Sequence, residues 1–78
     1  MKVYQINCDL GKKRNYRDFY KRIMSFSNWS RPLESCWIVS SNKTAEELLK
    51  DFQSLLDCSD RILITRLQGD AAWMINQE

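Results

Sequence analysis

Asp9 is the carboxylate best placed for chemistry in this sequence. It follows the alternating run Tyr4-Gln5-Ile6-Asn7-Cys8, so it stands just past the end of a strand, where an acidic side chain can hold Mg²⁺. Metal-assisted hydrolysis of a phosphodiester needs several oxygen ligands converging on the ion. One Asp does not supply them, but two copies of Asp9 meeting across a two-fold axis would. The competing reading is a turn carboxylate that makes local hydrogen bonds and offsets the cations behind it.

Those cations are the second group with chemical meaning. Lys12, Lys13, Arg14, Arg17, Lys21, Arg22 and Arg31 crowd the first half of the chain. Residues 1–31 hold eight basic against two acidic residues, a net +6, and residues 32–78 hold four against eight, a net −4. Clustered cations on a loop and the helix face beside it can track a phosphate backbone, of DNA or of RNA. They can equally form a solvated helix face, or dock the acidic second helix of a neighbouring subunit. Trp29, Trp37 and Trp73 have two readings as well: stacking platforms for bases, or packing in a core or interface. The chain has no His, so Cys8 and Cys36 lack an imidazole base to activate them, and a Cys/His zinc site is excluded.

The elements that must position these groups follow from periodicity. Val3–Cys8 alternates, with Tyr4, Ile6 and Cys8 on one face and Val3, Gln5 and Asn7 on the other. Asn15 is the expected N-cap of a first helix, with Asp18 three residues on. Tyr16, Phe19, Tyr20, Ile23 and Phe26 form its apolar stripe. A short edge strand is expected near Trp29–Leu33, because Pro32 cannot donate a ladder hydrogen bond. A turn at Glu34–Ser35 leads to a strand from Cys36 to Ser40. Trp37 and Val39 share one face of it and Cys36 and Ile38 the other; which pair meets the core stays open. Thr44 and Glu47 make a capping box for a second helix, with Ala45, Leu48, Leu49, Phe52, Leu55 and Leu56 at helical spacing. Arg61–Leu67 is β-branched and strand-like, and Ala71–Asn76 is expected to add a short final strand.

Strand, helix, two strands, helix, strand is the split βαβ order. The expected fold is one α+β domain over residues 1–78, a ferredoxin-like βαββαβ sandwich. One antiparallel sheet carries both helices on a single face, since each helix has a single apolar stripe. The opposite sheet face is apolar enough to need cover. With 78 residues and no disulfide framework, a partner subunit is the cheapest source of further burial, so a homodimer is expected. Neither a signal peptide nor an apolar run of membrane-spanning length is apparent, and three unpaired cysteines suit a reducing compartment. The expectation is a cytoplasmic protein with no membrane partner.

Tyr4-Gln5-Ile6-Asn7-Cys8-Asp9-Leu10 resembles the first strand, ending in Tyr-Asp-Leu or Tyr-Asp-Ile, of the second CRISPR-associated (Cas) protein and its small relatives. Trp29 followed by Leu33-Glu34-Ser35-Cys36-Trp37-Ile38-Val39 is similar to the short bacterial and phage proteins called SinR-like. Asp60-Arg61-Ile62-Leu63-Ile64 and Ala71-Ala72-Trp73 fit them too. The virulence-associated D proteins share the fold. The resemblance spans nearly the whole chain and implies a ferredoxin-like homodimer. It implies either a Mg²⁺-dependent nuclease, with Asp9 at the catalytic and metal-binding position, or a non-catalytic scaffold on duplex DNA. Cys8 stands where the family has Tyr. The rival to this Cas-like reading is a non-enzymatic factor of a phage or mobile element that acts on a protein partner.

Overall fold

The computed structural model describes residues 1–11 and 15–68. Lys12, Lys13 and Arg14, together with Trp73 and the expected strand over Ala71–Asn76, lie outside the described residues. In chain order the elements are β1 (Lys2–Asp9), α1 (Arg17–Met24), β2 (Trp29–Leu33), β3 (Cys36–Ser41), α2 (Ala45–Gln53) and β4 (Arg61–Leu67). The four strands form one antiparallel sheet in the order β2-β3-β1-β4. This small α+β arrangement is compatible with the ferredoxin-like expectation.

Pairing register decides which side chains go inside. Tyr4 faces Val39 and Ile6 faces Trp37 across the β1–β3 ladder, while Ile6 faces Ile64 and Cys8 faces Ile62 across β1–β4. Side chains opposite each other share a face, so Trp37 and Val39 are the inward pair of β3. Against this face pack Phe19 and Ile23 of α1 and Leu48 and Phe52 of α2, all fully buried. Phe19 and Phe52 meet edge to face at 5.6 Å, joining the two helices through their rings. The Tyr4 hydroxyl donates to the Lys43 carbonyl at 2.6 Å, which satisfies the one polar atom this buried ring brings inside.

Helix α2 begins as its local sequence dictates. The Glu47 N–H donates to Thr44 Oγ1, and the Thr44 N–H donates to the Glu47 carboxylate. The helix ends at Gln53, so Leu55 and Leu56 reach the core from the turn that follows it, not from the helix. Helix α1 corrects the expected start. It begins at Arg17 with Tyr16 at the cap position and no side-chain cap there; Asn15 Oδ1 instead accepts from the Arg17 N–H at 2.9 Å, one residue outside. Pro32 lies where the β2–β3 register shifts, between Ser30 and Leu33 on the edge strand.

The helix-free face carries Val3, Gln5 and Asn7 of β1, Cys36 and Ile38 of β3, and Leu63, Thr65 and Leu67 of β4. Leu63 is 62% exposed and Leu33, at the end of β2, is 65% exposed. On the opposite side Asp51 ties α2 to two cations, Lys43 Nζ and, at 3.3 Å, Arg22 Nη2. The Lys43 hydrogen bond, helped by Arg22, holds the Asp51 carboxyl below the usual carboxylate range, against an opposing effect of burial that is second only to Lys43. A lowered folded-state pKa stabilises above the unfolded value and is lost as pH falls through the folded one. The melting temperature is therefore expected to fall on acidification below the ordinary carboxylate range, and Asp51→Asn to flatten that decline. The pair is solvated, so the effect is below about 1 kcal/mol. An identical pH profile for the variant would exclude Asp51 as its source.

Candidate functional site

Asp9 is the last residue of β1, not a loop residue beyond it, and it faces Arg61 across the β1–β4 ladder. Its position is exposed. Two shallow cavities meet at this end of the sheet, sharing Cys8, Asp9 and Ser35 as a common wall. The first, of about 300 Å³, also takes in Tyr16, Tyr20, Arg31 and Glu34. The second, of about 260 Å³, opens toward the helix-free face and takes in Arg61, Ile62 and Leu63. Asp9 thus sits on a rim with one guanidinium residue on either side, contributed by strands far apart in the sequence.

Arg31 does not belong with the cations of α1. It lies on β2, with its guanidinium carbon 5.1 Å from the Tyr20 ring centroid and 4.6 Å from that of Trp37. Its Nε and Nη2 both donate to the Glu34 carbonyl, at 3.0 and 2.7 Å. Two rings beneath and one carbonyl at the edge hold the plane of this side chain. Trp29, 44% exposed, leans on Trp37 at 5.7 Å, so Trp37 is core and Trp29 is its partly open neighbour. Arg17, Lys21 and Arg22 are exposed on α1, with Arg22 drawn to Asp51. Among the described residues, the expected cationic set is therefore divided between the outer face of α1 and the stacked Arg31.

The loop after Asp9 is anchored by a residue that sequence reasoning passed over. Asp60 accepts from the Gly11 N–H at 2.7 Å, from the Tyr16 hydroxyl at 2.5 Å and from the Asp57 N–H at 2.6 Å. It joins the segment leaving β1 to the turn entering β4. Gly11 suits this close approach, since a Cβ there would come within 2.7 Å of Ser59 Oγ. The available signal was an Asp directly before a strand, where turn carboxylates gather backbone donors.

Burial pushes the Cys8 thiol pKa up, with Arg31 pulling the other way, and its Sγ lies 3.7 Å from the Ser35 carbonyl. A thiol held protonated is a poor nucleophile. All three cysteines are free, Cys8 and Cys36 buried and Cys58 exposed. Among the described residues, no three Asp, Glu or Cys side chains gather as a metal-binding group. Within one chain Asp9 has Arg61, not a second carboxylate, as its cross-strand neighbour. A divalent ion at this position therefore needs further ligands from beyond the described residues, of this chain or another. No described helix is long and apolar enough to cross a membrane. In comparison with known proteins, no family model matches the chain, and no solved structure matches it.

Proposed function

We propose that the chain is a ferredoxin-like homodimer of the Cas-like kind that binds DNA or RNA, with Asp9 as the carboxylate of a metal-dependent nuclease centre. What carries this reading is the placement of Asp9 at the open end of β1, on the rim between a cavity lined by Arg31 and one lined by Arg61. A phosphodiester crossing that rim would meet a cation on either side of the acidic group. The second carboxylate comes from Asp9 of the other subunit, and Mg²⁺ supplies charge stabilisation at the phosphate when it is bound. The helix-free sheet face, with Val3, Ile38, Leu63 and Leu67, supports pairing of two copies.

Binding is expected to weaken steeply with salt, because each neutralised phosphate releases a counterion. Lys13→Ala, Arg14→Ala and Arg17→Ala together should reduce affinity for every sequence alike, and flatten the slope by about one unit for each phosphate left without its cation. Fluorescence anisotropy on single- and double-stranded DNA and RNA across a salt series reads both effects. Unchanged affinity and slope would remove these cations from the interface. Sedimentation of the same samples at micromolar concentration should show a dimer.

A second reading is a non-enzymatic factor that binds a protein partner. It is favoured by the seven residues of β4, which have β1 on one side and no described strand on the other. An edge of that length can accept a strand from another chain where no other segment covers it. Absence of nucleic-acid binding even at low salt would favour this reading over the first.

A further inference from the structure

The geometry points to the cavity between β1 and β2 as a seat for one unpaired nucleobase, stacked on the Arg31 guanidinium, with guanine or cytosine preferred over uracil. This rests on the nucleic-acid reading and specifies what enters the site.

The cavity is about 300 Å³, at the small end of ligand pockets, and too small to admit a duplex. Its distinguishing feature is a planar cation that is already immobilised. Arg31 is held over Tyr20 and Trp37 and clamped at its edge by the Glu34 carbonyl. A guanidinium in that state is a stacking surface for a base, and little side-chain freedom is left to lose on binding. Single-stranded nucleic acid presents such bases, because its stacking can be broken locally.

The charge of the lining argues against a phosphate in the same place. Arg31 is accompanied in the lining by two acidic residues, Asp9 and Glu34, and by Ser35. Ionised carboxylates only accept hydrogen bonds, so they repel a phosphate and favour N–H donors. Guanine presents its N1–H and N2 amino group on one edge, and cytosine presents its N4 amino group. Uracil offers one N–H between two carbonyl oxygens, which face the carboxylates unfavourably. Backbone phosphates then stay outside the cavity, along the Asp9 rim and toward the exposed cations of α1.

Guanosine, cytidine, uridine and inorganic phosphate separate these cases, since the nucleosides carry no phosphate. They are titrated into the ¹⁵N-labelled protein while the indole N–H of Trp37 is followed by NMR. Guanosine and cytidine should shift that signal saturably, and uridine and phosphate should not. Arg31→Lys keeps the charge but removes the plane, and is expected to weaken guanosine binding about tenfold. Glu34→Gln leaves the platform intact and should narrow the gap between guanosine and uridine about tenfold. Each variant is first checked for native backbone signals. Phosphate binding as tight as guanosine, or an Arg31→Lys variant that binds guanosine like the wild type, overturns the base seat. If that happens while oligonucleotides still bind with a steep salt slope, the nucleic-acid reading stands without it. If neither nucleosides nor oligonucleotides bind, both fail.

Discussion

Trp37→Ala is expected to leave the chain largely unfolded at room temperature, whereas Trp37→Phe is expected to fold. Trp37 is 2% exposed, and its ring touches Tyr20 of α1 and Trp29 and Arg31 of β2. Truncating a buried aromatic to Ala costs about 3–5 kcal/mol, the lost transfer energy plus that of the cavity left behind. Domains of this size sit near the low end of the usual range of about 5–15 kcal/mol, so the loss consumes most of the stability. The Phe variant differs for a specific reason. Among the described residues the indole Nε1 of Trp37 is buried without an acceptor. An unpaired buried N–H costs about 1–3 kcal/mol, and Phe removes it while keeping a ring between Tyr20 and Trp29. The two changes offset, so Trp37→Phe should lie within about 1 kcal/mol of the wild type. Urea titration followed by far-UV circular dichroism reads both. A Trp37→Phe variant as damaged as Trp37→Ala would mean that the indole N–H has a partner worth more than its burial costs.

Asp9→Asn is expected to reduce Mg²⁺- or Mn²⁺-dependent cleavage of nucleic acid at least ~100-fold, the scale of losing metal-assisted charge stabilisation, while the dimer and its binding of nucleic acid survive. The same substitution has a readout that does not depend on cleavage. Two Asp9 carboxylates facing each other repel when no ion lies between them. The wild-type dimer should therefore dissociate more readily in a chelating buffer than in Mg²⁺, and the Asn dimer should be indifferent to both. Sedimentation with and without chelator gives the comparison. Metal-independent association of the wild type would place the two Asp9 residues apart. Asp9 would then be left to its cross-strand neighbour Arg61 and to the role of a strand-end carboxylate. Cleavage that persists in a purified Asp9→Asn dimer would assign the chemistry to other groups.

The features legible in the sequence are those whose causes lie within a few residues of one another. The Thr44–Glu47 capping box closes over three positions, so the start of α2 could be read directly. The period-two run of β1 and the β-branched run of β4 reflect alternation along single strands, and Pro32 marks an edge because it lacks a donor. The apolar stripe of α1 is likewise local, and Tyr16, Phe19 and Ile23 are all buried as it required. Its starting residue was misplaced because Tyr16 is held by Asp60, 44 positions away, and local capping preference contains no such contact.

Tertiary pairing decided the rest. Alternation in β3 left either face free to meet the core; Trp37 and Val39 turned inward only because the register sets them opposite Ile6 and Tyr4. Arg31 reads as one more cation of a basic segment until β2 pairs with β3 and its side chain comes to lie on Trp37 and Tyr20. Arg61 carries no motif, and comes to flank Asp9 because β4 runs beside β1 in the one register that buries Ile62 and Ile64 against the helices. Helical and strand periods are properties of neighbouring residues. The meeting of residues 9, 31, 60 and 61 at one end of the sheet is a property of strand order and register, which exist only once the apolar faces have been buried together.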